Sequence, residues 1–252
     1  MAQSLANGWI HLDGYHFRAS APSLNRAIAI QGIETTAVNL DIVHDSDVII
    51  LAVKPAQMKA VCAEIASFIP HGCLVISVAA GLNLSWFTAH IPPQTAVIRA
   101  MPNIAARVKQ SATPLIKNQY VNQQQVLTAQ VLFNAVGIIT WVEKETDMDI
   151  FTALSGSGPA YVFQFIQHMV TAAIHMGLDD QTAKAFALKT VNGAVALALE
   201  SNIGLQELTR QVTSKGGTTE AALNVLQQHQ FSQVIETAMR SAQTRAQELD
   251  YT

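Results

Sequence analysis

Asp47-Val-Ile-Ile-Leu-Ala-Val53 is a nearly unbroken apolar run that stops at Lys54-Pro55, and two similar runs follow it at Cys73–Ala79 and Ala96–Met101. Runs that are apolar at every position, rather than at alternate positions, are typical of parallel strands buried on both faces. Residues 56–68, between the first two runs, carry apolar side chains at helical spacing. Strand, helix and strand at this spacing predict the right-handed crossover of a doubly wound α/β sheet.

The rest of the first half continues this alternation, whereas the second half is helical throughout. Weaker strands are predicted at His16–Ser20, Thr35–Val38, Ser111–Ile116 and Gly137–Val142. Helices are predicted at Pro159–Met176, from Asp179 or Asp180 to Glu200, at Leu205–Val212, at Thr219–Gln228 and at Ser232–Leu249. We expect the domain boundary near Thr146–Asp149, where charged residues follow the last strand.

The helix at Pro159–Met176 has clear end signals and an unusual surface. Ser157 is expected to cap its start, and Gly177 stands where a left-handed C-cap belongs. Its apolar residues surround the axis instead of forming one stripe, so every side of the helix needs burial. We therefore expect a second subunit to cover it.

Composition agrees with a buried interface between subunits. Of the 252 residues 50% are hydrophobic and 13% are charged, against about 25% charged in an ordinary soluble chain. A formal net charge of −3 argues against nucleic acid as a partner, and this composition excludes a disordered chain.

Neither the cysteines nor the N-terminus indicates an exported or membrane protein. Cys62 and Cys73 are too few for a disulfide framework or a zinc site, and they are interpreted as buried apolar residues. The sequence shows no apolar stretch of membrane-spanning length and no signal peptide at its start, so a cytoplasmic location is expected. The histidines show no metal-ligand spacing, and no metal site is predicted.

All three strong strands end in small residues, proline or glycine. In open parallel sheets ligands bind at the carboxyl edge, so three such ends in succession predict a ligand crevice, although any single one is explained by strand termination alone. The segment Thr213-Ser-Lys-Gly-Gly-Thr-Thr219 is a second candidate site. Its glycines permit close approach to a ligand, and its threonines open a helix whose free N–H groups bind a carboxylate or a phosphate. An ordinary capped helix start explains this segment equally well.

Five segments occur in the order seen in Δ1-pyrroline-5-carboxylate reductases, which make L-proline with NADPH or NADH. They are Asp47–Pro55 (DVIILAVKP), Val75–Gly81 (VISVAAG), Arg99–Asn103 (RAMPN), Ala153–Tyr161 (ALSGSGPAY) and Gln211–Thr219 (QVTSKGGTT). The chain resembles this family from Met1 to about Leu249, and the SGSGPAY and GGTT loops are the most specific part of the resemblance.

The resemblance implies an oxidoreductase of proline biosynthesis with two domains. Residues 1–147 would form a Rossmann-like, doubly wound parallel sheet that binds the dinucleotide, and residues 148–252 an all-α dimerisation and substrate domain. The implied partners are a cyclic imino acid and a second copy of the chain, as a homodimer or a ring of dimers.

The resemblance also assigns site residues. The implied cofactor-binding residues are Ser20, Asn39, Ala52, Val53, Lys54, Pro55, Ala79, Ala80 and Gly81. The implied substrate-binding residues are Ser157, Gly158, Gly216, Gly217, Thr218 and Thr219. Thr219 matches the threonine that hydrogen-bonds the ring nitrogen, and it is the implied catalytic residue. Because a threonine hydroxyl is a poor acid, positioning or proton relay from water is the expected role.

The stretch from Arg18 to Arg26 contains no acidic residue to hold a ribose 2′-hydroxyl. Ser20 and a nearby arginine are suited to a 2′-phosphate instead, which favours NADPH, with NADH as the alternative.

The opening strand and Gly-x-Gly-Asn-Met-Ala loop of the family have no counterpart, because this chain begins at the matching Met1-Ala2 inside the first helix. That strand and its glycine turn carry the pyrophosphate in doubly wound domains. We therefore expect reduced stability and weak cofactor binding. Two hypotheses follow: an active reductase whose start codon lies upstream, or a naturally shortened, catalytically impaired relative that keeps the dimerisation function.

Overall fold

A computed structural model of the chain describes residues 1–21 and 32–249. Residues 22–26, part of the stretch expected to face a 2′-phosphate, lie outside the described residues. The main sheet has five strands in the order β3-β4-β5-β6-β7. Their bounds are β3 Val48–Leu51, β4 Leu74–Ser77, β5 Ala96–Ala100, β6 Ser111–Lys117 and β7 Gly137–Trp141. The three strong strand predictions and the two weaker ones in this region are confirmed.

The main sheet is mixed rather than wholly parallel, which corrects the expectation of a parallel sheet. The pairs β3–β4, β4–β5 and β6–β7 are parallel, whereas β5 and β6 are antiparallel. A parallel return needs a dozen or more residues, usually with a helix. Residues 101–110 are too few for that crossover and contain only the short 3₁₀ segment Ile104–Val108, so the chain returns antiparallel.

A second, two-stranded sheet precedes the main one. It consists of β1, Arg18–Ser20, and β2, Glu34–Thr36, which pair in parallel with Ser20 opposite Thr36. Both weak strand predictions here are confirmed within two residues. Within residues 1–21 and 32–249, no strand is hydrogen-bonded between β1 and β3.

The continuous apolar pattern of the strands arises because both faces of the main sheet are covered. Leu74, Ile76 and Ile98 pack into one apolar cluster, whereas Val75 and Val97 pack into another. Adjacent residues of one strand point to opposite faces. Most positions of β4 and β5 therefore carry apolar side chains, as the sequence indicated, and the buried exceptions are Ser77 and Arg99.

Helices cover the sheet and make up most of the second half. Their bounds are α1 Ala2–Trp9, α2 Leu40–Val43, α3 Pro55–Ile65, α4 Leu84–His90, α5 Gln123–Asn134, α6 Glu145–Phe151, α7 Gly158–His175, α8 Asp180–Glu200, α9 Leu205–Gln211, α10 Thr218–Gln228 and α11 Phe231–Glu248. In the described part of the chain, no helix combines the length and the apolar character needed to cross a membrane.

Ser157 does not cap α7, so that prediction is wrong. An N-cap residue is extended, but Ser157 has helical angles, φ −84° and ψ −24°, and its N–H donates to the Thr152 carbonyl at 2.8 Å. Thr152–Gly156 forms a π-helical segment that joins α6 to α7 without an extended residue. The other end signals are confirmed: Gly177 has φ 106°, and the Asp179 side chain accepts the Thr182 N–H at 3.0 Å.

The chain divides into two compact units, Met1–Pro159 with Ser241–Thr252, and Ala160–Arg240. The sheets belong to the first unit, and α8, α9 and α10 belong to the second. The sequence-based division after residue 147 concerns which residues bind cofactor and which form the subunit interface, and it stays a prediction.

Candidate active site

Two of the predicted cofactor residues are in direct contact. β1 ends at Ser20, whose hydroxyl donates to Asn39 Oδ1 at 2.7 Å. Asn39 immediately precedes α2, and its amide donates to Glu64 Oε2 at 2.9 Å. The Ser20–Asn39 pair is thus held by a third side chain, Glu64 on α3. Sequence reasoning missed Glu64, because it lies in the last turn of a helix and away from any strand end.

The one described arginine of the predicted 2′-phosphate stretch already has a partner. Arg18 forms an ion pair with Asp45, and it also donates to the Ile42 carbonyl at 3.2 Å. The hydrogen bond with Asp45 raises the pKa of Arg18, and it lowers the pKa of the Asp45 carboxyl. The positive charge of Arg18 is therefore balanced by Asp45. Ser20 and Asn39 remain as an uncharged polar pair at the end of β1.

The segments Ala52–Pro55 and Ala79–Gly81 lie at the same edge of the main sheet. β3 and β4 are parallel neighbours with Leu51 opposite Ser77, and the Val78 N–H donates to the Leu51 carbonyl at 3.1 Å. The residues that follow each strand therefore emerge side by side, at the carboxyl edge where doubly wound sheets bind ligands. The structure brings these predicted residues together.

Gly81 has a left-handed backbone and a close neighbour. Its φ is 72°, and a Cβ atom placed there would lie 2.4 Å from the Leu249 carbonyl oxygen. Together with Ala79 and Ala80, it makes a strand end without bulky side chains. These residues fit a dinucleotide, because a flat ring approaches a backbone closely only where side chains are small.

Ser157 and Gly158 follow the π-helical segment. Residues that come directly after β5 contact this segment. The Asn103 amide donates to the Ser155 carbonyl at 2.9 Å, and a Cβ on Gly156 would lie 3.3 Å from the Met101 methyl carbon. π-helical segments occur frequently at functional sites. A Cβ on Gly158 would meet no atom within 4 Å, so the first residue of α7 faces open space.

In the second unit, the glycine–threonine loop before α10 already binds a carboxylate. The Gly216 N–H donates to Glu220 Oε2 at 2.6 Å. Gly216 has φ 74°, a conformation that favours glycine, whereas a Cβ on Gly217 would lie 2.4 Å from the rotatable Ser214 hydroxyl and 3.0 Å from the Ser214 carbonyl oxygen. The partner Glu220 was not singled out from the sequence, although it stands directly after the motif.

The first turn of α10 supplies further donors. The helix begins at Thr218, one residue before the predicted start at Thr219, with Gly217 as its N-cap. The N–H groups of Thr218 and Thr219 point out of the helix start and lack intrahelical acceptors. Thr219 is half-buried, and Thr218 is exposed. The loop is therefore built to accept an anion. Among residues 1–21 and 32–249, no cluster of potential metal ligands is found.

Comparison with known proteins places this chain in a family. The family model described as pyrroline-5-carboxylate reductase dimerisation matches residues 145–249, and the model described as NADP oxidoreductase coenzyme F420-dependent matches residues 1–81. A pyrroline-5-carboxylate reductase of Pseudomonas aeruginosa is 39% identical over 99% of this chain and 93% of the relative. The chain belongs to the pyrroline-5-carboxylate reductase family.

Solved structures of the family agree with this membership. The pyrroline-5-carboxylate reductase of Coxiella burnetii superposes with a TM-score of 0.93 at 35% identity, covering 100% of this chain and 95% of that chain. The Plasmodium falciparum pyrroline carboxylate reductase, solved with NADP bound, gives a TM-score of 0.88 at 28% identity over 99% of this chain and 93% of that chain. The resemblance, the fold class and the expectation of an oxidoreductase are confirmed, and the dimerisation match indicates a homodimer or a larger oligomer.

Proposed function

We propose that this chain reduces 1-pyrroline-5-carboxylate to L-proline, the last step of proline biosynthesis, with NAD(P)H as cofactor. When bound, the cofactor supplies the hydride that the imine carbon accepts, and the ring nitrogen takes up a proton. Family membership supports the reaction. The observation that carries the substrate assignment is the carboxylate already bound at the Gly216 N–H, because the imino acid must be held by its own carboxylate.

On the cofactor side, we assign binding to the residues that follow β1, β3 and β4. Ser20 and Asn39 are assigned to the adenosine ribose or its 2′-phosphate, and their lack of charge leaves both NADPH and NADH open, with NADPH favoured as before. Ala52, Val53, Lys54 and Pro55 are assigned to the cofactor backbone. Ala79, Ala80 and Gly81 are assigned to the nicotinamide, where their small side chains permit close approach.

On the substrate side, the loop before α10 is assigned to the carboxylate. The N–H groups of Gly216 and Thr218 are the proposed donors, and the positive end of the α10 dipole adds to their attraction for an anion. Gly217, whose N–H donates to the Ser214 carbonyl at 2.9 Å, is assigned to the same site as the residue that shapes the loop. Thr219, one residue further along α10, is assigned to the ring nitrogen. Its hydroxyl orients that nitrogen and relays a proton from water, because a threonine hydroxyl does not ionise at neutral pH.

Ser157 and Gly158 are also assigned to substrate binding, as the family resemblance implies.

The assembly is proposed to be a homodimer or a ring of dimers. In the second unit several large apolar side chains are exposed, among them Phe163 at 62%, Phe186 at 70% and Leu199 at 79%. Exposed apolar patches on a single chain mark interaction sites. A cytoplasmic location is proposed as well, supported by two free, buried cysteines, Cys62 and Cys73, that suit a reducing compartment.

A second candidate function is that of a dimer-forming relative without catalysis. It is favoured by the break between β1 and β3, where no hydrogen-bonded strand is found in the described residues. Doubly wound domains carry at that position the strand that leads into the phosphate-binding turn.

The two candidates differ in a direct assay. Purified protein is mixed with NADPH and 1-pyrroline-5-carboxylate, and NADPH oxidation is followed together with the appearance of proline. Steady turnover, with micromolar NADPH affinity in a fluorescence titration, supports the reductase. Little NADPH binding and no proline, from a protein that still forms dimers, supports the non-catalytic relative.

A further inference from the structure

Arg99 is a charged residue in a fully buried strand of the main sheet. It lies in β5, all of whose residues are buried, and only 2% of Arg99 is exposed. Its Nε atom is buried and has no hydrogen-bond partner among the described residues. A buried charge is costly unless it is paired. Loss of the ion-pair partner of Arg99 is therefore expected to lower the stability of the folded protein strongly.

The partner of Arg99 is Glu145, the first residue of α6. Arg99 Nη1 donates to Glu145 Oε2 at 2.5 Å. The other oxygen of the same carboxylate, Oε1, accepts the backbone N–H of Leu84 at 2.6 Å. One carboxylate therefore joins β5, the start of α6 and the start of α4, which are far apart in the sequence.

Residues 79–84 connect β4 to α4, which begins at Leu84. We call this segment the cofactor loop. Other contacts also hold this loop: the Ala79 N–H donates to the Ser77 hydroxyl at a long 3.3 Å, the Leu82 side chain is buried, and Asn83 Oδ1 accepts the Trp86 N–H at 2.8 Å as the N-cap of α4. The bond from Leu84 to Glu145 is shorter, and its acceptor is charged. Charge-assisted hydrogen bonds are roughly twice as strong as neutral ones. Glu145 is thus a charged anchor at the far end of the loop, next to the neutral Asn83 cap.

We propose that Glu145, oriented by Arg99, is a positioning residue that fixes the cofactor loop against the sheet, and so sets where Ala79–Gly81 meet the nicotinamide. This inference rests on the proposed function, which assigns those three residues to the nicotinamide. Neither Arg99 nor Glu145 contacts a reacting atom in this account. Their role is to hold the backbone that does.

The test compares Glu145→Ala with Glu145→Gln. The alanine variant loses both bonds, whereas glutamine keeps an oxygen acceptor for the Leu84 N–H. Glu236→Ala is the matched control, because it breaks an ion pair with Arg240 on the exposed face of α11. Arg99→Met is a further test variant. It removes the buried charge, and Glu145 can still accept the Leu84 N–H.

Three measurements report on the loop itself. Hydrogen exchange of peptides covering residues 79–90, followed by mass spectrometry, needs no cofactor. The dissociation constant for NADPH comes from fluorescence titration. The steady-state constants and the isotope effect with NADPH deuterated at the transferred hydrogen report on catalysis.

The proposal predicts faster exchange at residues 79–84 in Glu145→Ala and NADPH affinity weakened about tenfold, as expected for the loss of a hydrogen bond to a charged group. The isotope effect should rise, the KM for 1-pyrroline-5-carboxylate should change less than about twofold, and Glu145→Gln should recover part of the loss. Arg99→Met should give a smaller rise in exchange than Glu145→Ala, and Glu236→Ala should resemble the parent protein.

Unchanged exchange at residues 79–84 in Glu145→Ala would overturn the proposal. So would a loss of thermal stability with uniform exchange across the chain and an unaltered isotope effect, because that pattern is purely structural. Failure of the proposed function would look different: the parent protein would make no proline, while the exchange data would still show whether Glu145 orders the loop.

Discussion

Gly81→Ala places a side chain where the backbone is left-handed and another carbonyl group is close. The φ of Gly81 is 72°, and the new Cβ would lie 2.4 Å from the Leu249 oxygen. The left-handed conformation costs a non-glycine residue about 1–2 kcal/mol. Relief of the overlap with a backbone atom adds about 1–3 kcal/mol. The total, about 2–5 kcal/mol, reaches at most the lower end of the roughly 5–15 kcal/mol that stabilise a typical domain, so we expect a folded but clearly destabilised variant.

Comparison with Gly72→Ala isolates the cost of the overlap with Leu249. Gly72 precedes β4 as Gly81 follows it, and its φ is 82°, but a Cβ there would meet no atom within 4 Å. The two substitutions therefore share the backbone strain and differ in the contact with Leu249. We expect Gly72→Ala to cost about 1–2 kcal/mol and to leave NADPH binding unchanged, because it lies at the opposite end of the strand.

Urea denaturation followed by circular dichroism measures both free energies of unfolding, and fluorescence titration measures NADPH affinity. Gly81→Ala should lose at least about 1 kcal/mol more than Gly72→Ala. It should also bind NADPH about fivefold or more weakly, because relief of the overlap moves the cofactor loop. Equal losses of stability in the two variants, or unaltered NADPH affinity in Gly81→Ala, would refute the reasoning.

Three further predictions concern the substrate loop and the cysteines. Thr219→Ala should lower kcat about 10–100-fold and change the NADPH dissociation constant little in a titration; an unchanged kcat would remove Thr219 from the mechanism. Glu220→Gln should lower the KM for 1-pyrroline-5-carboxylate about two- to fivefold in initial-rate assays, because a neutral amide at the Gly216 N–H competes less with an incoming carboxylate; a higher KM would show that Glu220 assists binding. Burial raises the pKa of Cys62 to about 11 and that of Cys73 to about 12, so at neutral pH a thiol reagent should modify neither in the folded protein and both in denaturing urea; rapid labelling of the folded protein would contradict this.

The strands of the main sheet could be predicted because burial on both faces leaves a continuous apolar signature. Val75 and Ile76 face opposite apolar clusters, so both positions carry apolar side chains. The direction of β6 could not be predicted from its own residues. It depends on the length of the connection after β5, which makes the pair antiparallel although both strands are apolar.

The glycines of the candidate site were recognisable, but the side chains that hold the site were not. Gly216, Gly217 and Gly81 stand in short motifs that mark close backbone approach. Glu64 and Glu145 act through partners 25 and 61 residues away in the sequence, Asn39 and Leu84, and nothing in the local pattern indicates such partners. Helix caps could be predicted only in part. Asp179 was predicted correctly, whereas Ser157 looked like a cap but stands in a continuous helical backbone.

The central claim is that the loop before α10 holds the substrate by its carboxylate. Its most direct test is the ratio of kcat/KM for 1-pyrroline-5-carboxylate to that for 1-pyrroline, the same ring without the carboxylate. Two hydrogen bonds to a charged group, at about 1.5–3 kcal/mol each, predict a ratio of about one hundred or more. Equal values for the two imines would contradict the account.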